Sequence, residues 1–304
     1  MAARTLTIPA FAKINLNLRV LAKRTDGYHE IDTVFQTVSL HDTLKFAVTD
    51  AAEIAFNCDD RAMPAGEDNL VVRAARALQN RFAVSRGARI RLEKRIPAQA
   101  GLGGGSSDAA MTLLGLSHLW QLKATTEDLH QLAVGLGADV PFFLSGGTGR
   151  GTGIGEQIES LPDAPQMFLI IVKPNAQVAT VTAYETLDER CLTTPDAAPI
   201  LFTSETKQIC NAADLASLQN DFEVIAFELE PEIARGRDAL LKAGARVARL
   251  SGSGSGVFGI FDSKDAQRRA IQAIELETGW RVFPCITVGR AQYQSELPLF
   301  SAGA

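Results

Sequence analysis

The sequence predicts an α+β fold in two lobes, and three observations predict it. Its 304 residues, 46% hydrophobic and 21% charged, can bury a large core and exceed the usual length of one domain. Strand-like and helix-like patterns follow one another without the regular alternation that builds a parallel sheet. Pro162 and Pro165 punctuate the chain just before the apolar run Met167 to Val172. That break divides the chain into residues 1–162 and 163–304.

In the first lobe, strand-like runs occupy Leu16 to Leu21, Thr33 to Ser39, Thr43 to Thr49 and Ala88 to Ile96. In the last of these Ile90 and Leu92 alternate with Arg89, Arg91 and Lys94, as in a half-buried strand. A helical pattern runs from Leu70 to Phe82. After the glycines at 101 and 103 to 105, the residues Ala109, Ala110, Leu113, Leu114, Leu116 and Trp120 recur at helical spacing, with Ser106, Ser107 and Asp108 as cap candidates. The second lobe reads as a strand at 167–172, helices near 180–189 and 214–243, strands around 246–250 and 256–261, a helix at 264–277 and a last strand at 281–288. Thr193 to Pro199 is expected to be a surface loop.

Charge and composition exclude some classes of function. A net charge of −5 supplies no general attraction to nucleic acid or anionic membrane, so anion binding must come from local groups. The start of the chain lacks an apolar signal core, and the run Met167 to Val172 is far shorter than the ~20 residues a membrane-spanning helix needs. Cys58, Cys191, Cys210 and Cys285 form no CxxC pair and lack histidines at ligand spacing, so free thiols and a reducing, cytoplasmic location are expected.

Three glycine-rich segments could meet phosphate. Pro97 to Ala110 (PAQAGLGGGSSDAA) combines close glycines, two hydroxyls and a helix start, so backbone N–H groups can converge on an anion with the positive helix end behind them. The alternative is a glycine turn that only caps a helix. It is not a Walker loop, because the required lysine is absent. Gly146 to Gly155 (GGTGRGTGIG) suits a hairpin that shapes the site as well as it suits direct contact. Ser251 to Gly256 (SGSGSG) begins a formal GxGxxG match at Gly254, Gly256 and Gly259. It runs into the strand-like VFGIF instead of opening a helix, so a dinucleotide fingerprint is excluded. A strand–loop–strand closing onto the site, or a plain hairpin, is left.

PAQAGLGGGSSDAA and LSGSGSGVFGIF resemble the phosphate loop and the C-terminal glycine motif of the galactokinase, homoserine kinase, mevalonate kinase and phosphomevalonate kinase (GHMP) superfamily. The segments at 12–42 (AKINLNLRVLAKRTDGYHEIDTVFQTVSLHD), 93–97 (EKRIP), 137–144 (GADVPFFL) and 151–156 (GTGIGE) resemble, more narrowly, its branch acting on a cytidine-diphosphate-linked methylerythritol. The similarity runs over nearly the whole chain. The loop reads GLGGGSSDAA where many relatives read GLGSS, which favours the same branch. The resemblance implies an N-terminal lobe like ribosomal protein S5 domain 2, a ferredoxin-like C-terminal lobe, and transfer of the ATP γ-phosphoryl group to the substrate's C2 hydroxyl in isoprenoid precursor synthesis.

By that resemblance Asp139 accepts or orients the hydroxyl proton, and Lys13 stands beside it and stabilises negative charge. Read without the family, Asp139 is a cap before Pro141 and Lys13 a solvated strand-end charge. Pro97, Gly101, Leu102, Gly103, Gly104, Gly105, Ser106 and Ser107 are expected to hold ATP, with Ser107 a candidate Mg²⁺ ligand; Asn69 and Lys94 match positions near the nucleotide. Arg89, Arg91 and Arg95 read as a solvated face. Tyr28, His29 and Tyr184 match residues around the cytosine, and Asn15 and Thr180 match polar residues near the methylerythritol and diphosphate. A Tyr–His pair is otherwise ordinary half-buried packing. The remaining alternatives are another kinase of the superfamily, for homoserine or mevalonate, and a non-catalytic nucleotide-binding relative. The expected partner is the small molecule alone, with no nucleic acid and no membrane, for a monomer or weak homodimer.

Overall fold

Two long strands carry the first lobe. β1 (Thr5–Lys23) and β2 (His29–Thr49) pair antiparallel along almost their whole length, with register shifts at Phe11/Ala12, Asn15/Asn17 and Val20/Ala22. Such bulges bend the pair and re-aim side chains locally. The computed structural model describes residues 4–191, 219–274 and 278–297. The runs expected at Thr33 to Ser39 and Thr43 to Thr49 are one strand, because β2 continues through Leu40 to Asp42 while changing partners. Its first half pairs with β5 (Thr148–Thr152) and its second with β4 (Gly87–Glu93). β3 (Ile54–Cys58) adds parallel to β4 and β6 (Gln157–Ser160) antiparallel to β5.

Three helices cover one face of this sheet. α1 (Leu70–Phe82) is capped by the Asn69 side chain, which accepts from the Val71 N–H. α2 (Gly104–Trp120) is buried on nearly every side, as expected of a helix apolar all round. It starts before the serines. Gly103 is its cap in the left-handed region, with φ 67°, so Ser106, Ser107 and Asp108 lie inside the helix rather than capping it. α3 (Thr126–Leu136), which the sequence reading passed over, carries a capping box between Thr125 and Asp128.

The second sheet has the order β10–β7–β9–β8, all antiparallel, from β7 (Phe168–Lys173), β8 (Val247–Leu250), β9 (Val257–Phe261) and β10 (Arg281–Ile286). With helices between its first and second and its third and fourth strands, this is the ferredoxin-like arrangement. The helix expected over 214–243 is two in its described part, α5 (Glu223–Leu229) and α6 (Pro231–Lys242). Pro231 lacks an N–H and suits only a first turn, so the chain breaks there. α4 (Thr180–Cys191) and α7 (Lys264–Ile274) complete the layer. The loop expected at Thr193 to Pro199, and Cys210, lie outside the described residues.

The two sheets face each other across an apolar seam in which Ala12, Ile14, Leu16 and Val34 meet Leu169, Ile171, Phe258 and Ile260. The order is therefore helices, sheet, sheet, helices. β1 also reaches into the second lobe, where Leu18 bridges Asn220 and the Arg19 guanidinium pairs with Asp221 at 3.0 Å. In the opposite direction α8 (Arg290–Glu296) buries Tyr293 in the first core, with its hydroxyl donating to the Phe143 carbonyl at 2.6 Å.

Candidate active site

The loop between β4 and α2 is pressed against the other lobe. Gly101 has φ +70°, and a Cβ there would sit 1.9 Å from the Ser251 carbonyl oxygen; Gly103 has φ +67°, and a Cβ there would sit 2.7 Å from Cζ of Phe143. Glycine is required at both by backbone conformation and by space. The Ser251 hydroxyl donates to the Gly101 carbonyl (2.9 Å), and the N–H groups of Ser255 and Gly256 donate to the carbonyls of Gln99 and Ala100. Residues 251–256 thus join β8 to β9 as a loop closed onto the first glycine segment.

Two cavities flank that loop. The larger, about 1010 Å³, is lined by residues of both lobes, among them Lys13, Tyr28, Asp139, Tyr184 and Ser253. The smaller, about 370 Å³, is lined by Asn69, Lys94, Pro97 to Ser106 and Asp108. Gln99, Gly101 and Gly103 belong to both walls. The loop is therefore the partition across which a group could pass from one cavity to the other.

On the larger side, Lys13 is buried at 3% exposure, with its Nζ 3.2 Å from Asp139 Oδ2 and donating to Asn15 Oδ1 at 2.6 Å. The Asn15 amide donates in turn to Thr33 Oγ1, at 2.7 Å. The ammonium also lies 5.2 Å from the centre of the Phe35 ring, within cation–π range. Asp139 does not cap the short helix Pro141–Leu144, whose cap position is Val140 without a side-chain bond. Its carboxylate is a third exposed and turned to the cavity.

At the far end of this cavity, Tyr28 is 60% exposed and His29 only 7%. The His29 ring stacks on Tyr184, with centroids 4.6 Å apart and planes at 21°, and Phe222 meets Tyr184 edge-on. His29 and Tyr184, both expected around the cytosine, pack on each other here, with the imidazole covering part of the Tyr184 face. Burial, with the Asp139 charge adding to it, pushes the Tyr184 phenol up to about 12. Thr180 Oγ1 lies 3.0 Å from Ser253 Oγ, which ties α4 to the second-lobe glycine loop.

On the smaller side, Arg89, Arg91 and Arg95 are exposed and Lys94 turns inward. Its ammonium is shared between Asp42 and Asp108, the latter at 2.9 Å. Asp42 also accepts from the backbone N–H groups of Arg95 and Ile96. One ammonium cannot neutralise two buried carboxylates. Burial, opposed by Lys94, leaves the Asp108 carboxyl at about 7, while Lys94 itself rises because the two carboxylates outweigh its desolvation. The Asn69 amide is already committed to the α1 cap and to the Pro64 carbonyl. Ser107 is fully buried behind the cavity wall, and its hydroxyl has no partner.

The sequence reading missed Asp42 and Asp188, named Asp108 only as a cap candidate and Ser251 only as part of a glycine segment. Asp188 had a local signal: it follows Tyr184 by four residues, one helical turn on the same face. Asp42 had none, since its partner Lys94 is distant in sequence and only the β2–β4 pairing unites them.

A two-lobed α+β fold, a glycine loop entering a helix and a lysine–aspartate pair at the partition define a small-molecule kinase of the GHMP type. The models of the GHMP kinases N terminal domain and the GHMP kinases C terminal match residues 69–147 and 206–278. A 4-diphosphocytidyl-2-C-methyl-D-erythritol kinase of Prosthecochloris aestuarii is 42% identical over 277 residues, covering 88% of this chain and 94% of that protein. Its namesake from Solibacter usitatus is 42% identical over 289 residues, covering 94% and 90%. A crystal structure of 4-(cytidine 5'-diphospho)-2C-methyl-D-erythritol kinase matches with TM-score 0.75 and 34% identity, over 93% of this chain and all of that one. A mevalonate kinase of L. major in complex with R-mevalonate shares the fold at TM-score 0.72 but is 14% identical. The chain belongs to the GHMP kinases, and within them to the 4-diphosphocytidyl-2-C-methyl-D-erythritol kinase family, whose members are ATP-dependent small-molecule kinases.

Proposed function

We propose that the protein transfers the γ-phosphoryl group of ATP to the C2 hydroxyl of 4-diphosphocytidyl-2-C-methyl-D-erythritol, giving the 2-phosphate and ADP, as a cytoplasmic step of isoprenoid precursor synthesis. The observation that carries this reading is the partition: Lys13 and Asp139 line the larger cavity with Gly101 and Gly103, which also wall the smaller one. ATP in the smaller cavity presents its terminal phosphate across the loop, and the acceptor lies in the larger. Phosphoryl transfer demands positioning and charge stabilisation above all. Asp139 orients the acceptor hydroxyl and takes its proton as the bond to phosphorus forms. Lys13, buried and held by Asn15, pairs with Asp139 and stabilises charge on the transferred group.

The amides of Gly103 to Ser106 at the start of α2 receive the phosphates with the positive end of the helix behind them. Lys94 and Asn69 border the nucleotide. For Mg²⁺ the residues present offer one unpartnered hydroxyl near the phosphates, that of Ser107 on the first turn of α2, which lies behind the lining of the smaller cavity and would have to turn into it to serve as a ligand. Among the described residues no group of three His, Cys, Asp or Glu side chains could hold a metal, so the phosphates supply most of its ligands. When bound, the ion neutralises charge on the triphosphate. Asn15 and Thr180 border the acceptor, and Tyr28, His29 and Tyr184 the cytosine.

The reading includes a partner list of this small molecule alone, without nucleic acid or membrane, and a monomer or weak homodimer. Among the described residues no helix is long and apolar enough to cross a membrane. The lobe division at 162/163 is kept with one amendment: Val288, Tyr293 and Leu297 sit in the first core, so the last described segment belongs with the first lobe. The test is ADP release with Mg-ATP and, separately, the cytidyl compound, homoserine, mevalonate and free methylerythritol. Turnover with the cytidyl compound alone supports the assignment. Turnover with another alcohol alone keeps the kinase and moves the substrate; none at all, in a protein that binds ATP, favours a non-catalytic relative.

A further inference from the structure

Among the described residues, Ala83, Gln99 and Gln121 are the non-glycine residues with a left-handed φ. Ala83 and Gln121 follow the last turns of α1 and α2, where such a residue commonly ends a helix. Gln99, with φ +52°, ends no helix. It lies in the loop between β4 and α2, and contacts from the other lobe hold it there. Its carbonyl accepts from the Ser255 N–H at 3.2 Å, and the carbonyl of Ala100 accepts from the Gly256 N–H at 3.1 Å. Ser255 is fully buried and its hydroxyl donates to the Ala176 carbonyl at 2.6 Å, so the support is itself fixed. Glycine would adopt the same backbone conformation without steric cost. A glutamine therefore stands where its own backbone is strained, and such strain collects at sites of binding and catalysis.

From Pro97 to Gly105, Gln99 alone has a hydrogen-bonding side chain. It is exposed and lines both cavities, and its hydrogen bonds among the described residues all pass through its carbonyl, so the side-chain amide is unused. We propose that Gln99 is a further catalytic residue, whose side-chain amide donates to the phosphoryl group as it crosses the partition. This rests on the reading of the two cavities as nucleotide and acceptor sites. As the bond from phosphorus to the ADP oxygen breaks, the bond to the acceptor oxygen forms and the hydroxyl proton passes to Asp139; Gln99 neither gains nor loses a proton. In a loose transition state the negative charge is spread over the equatorial oxygens of the group in transit. The loop's backbone N–H groups are fixed in direction, whereas a long side chain can follow those oxygens from one cavity to the other. An amide is also a donor that Asp139 cannot neutralise, because it carries no charge.

The test compares the intact protein with Gln99→Gly and Gln99→Glu, in steady-state turnover of Mg-ATP with the cytidyl substrate and in thermal unfolding. Gln99→Gly removes the amide and accepts the left-handed backbone freely. It is expected to lower kcat about tenfold to a hundredfold, the range for a hydrogen bond to a charged group, with both KM values held. Its melting temperature is expected to stay at or above that of the wild type, since the backbone strain is relieved. Gln99→Glu keeps the size but offers a carboxylate that only accepts and that repels the phosphoryl oxygens, so its kcat falls further than that of Gln99→Gly. Binding of ADP with aluminium fluoride and the cytidyl substrate, a mimic of the group in transit, weakens in both variants while ATP binding alone holds. A wild-type kcat in Gln99→Gly overturns the role of Gln99 alone. So does a rise confined to KM for the acceptor, which makes the glutamine a binding group, or a melting temperature that falls with kcat, which makes it a structural one. A wild-type protein that phosphorylates no acceptor removes the reading of the cavities beneath the proposal, and the proposal with it.

Discussion

The two cavities beside the glycine loop are made of different materials. The smaller is lined largely by one continuous, glycine-rich stretch of chain, Pro97 to Ser106, where backbone rather than side chains forms much of the wall. The larger is assembled from side chains far apart in sequence: Lys13, His29, Asp139, Tyr184 and Ser253. A backbone cradle suits a ligand common to many kinases. A side-chain cavity suits the ligand that distinguishes one kinase from the next, since its walls can be exchanged without disturbing the loop.

The largest expected effect sharpens that contrast. Asp139→Asn removes a group that lines only the larger cavity. It should lower kcat by about 10²- to 10⁴-fold, the range for a positioned acid–base group, and leave ATP affinity almost unchanged. Single-turnover kinetics beside nucleotide titration measures both. Near-normal turnover would remove Asp139 from the chemistry, and a large loss of ATP affinity would mean the two cavities are not separate compartments.

Gly101→Ala attacks the partition itself. The added Cβ would meet the Ser251 carbonyl oxygen at 1.9 Å, in a residue with φ +70°. Backbone strain alone costs about 1–3 kcal/mol, and relief of the clash must separate the two lobes. The expected result is a lowered melting temperature together with loss of both nucleotide and acceptor binding. A variant losing only one of the two would show that the loop serves one cavity.

The same difference in construction governed what could be read from the sequence. The phosphate loop and α2 were legible because glycine spacing and helical periodicity are local, and α1 was legible over Leu70–Phe82 for the same reason. The start of α2 was misread at Ser106 to Asp108 because a glycine in the left-handed region can replace a side-chain cap. Lys13 and Asp139 were named from resemblance. Their residue types alone favoured a solvated charge and a cap, and only the tertiary fold brings them to 3.2 Å. The Lys94–Asp42–Asp108 cluster had no local signature, since strand pairing creates it.

That cluster gives the next prediction, on the nucleotide side. The Asp108 carboxyl lies at about 7 in the folded protein against an ordinary value of 3.8. Between those values the folded chain holds a proton that the unfolded chain has released, so this group's contribution to stability falls as pH rises from about 4 to about 7. Below that window its contribution is fully present; above it the contribution is lost. Asp108→Asn imitates the protonated form and should flatten this part of the stability profile, as urea unfolding at pH 5 and pH 8 would measure. An unchanged slope would mean that Lys94 compensates both carboxylates at once.

The smallest effect is expected at the seam between the cavities. The Ser251 hydroxyl donates to the Gly101 carbonyl at 2.9 Å and accepts from the Asn15 N–H at 3.3 Å. One serine therefore links the phosphate loop to the strand that carries Lys13. Ser251→Ala leaves both backbone groups without that partner, at a cost of about 1–3 kcal/mol. No side chain that touches a reacting atom is removed, so a purely structural link lowers the melting temperature and leaves kcat and both KM values in place. If the link also sets the register of Gly101 against Lys13, kcat falls while both KM values hold, because each cavity keeps its own walls and only their alignment is lost.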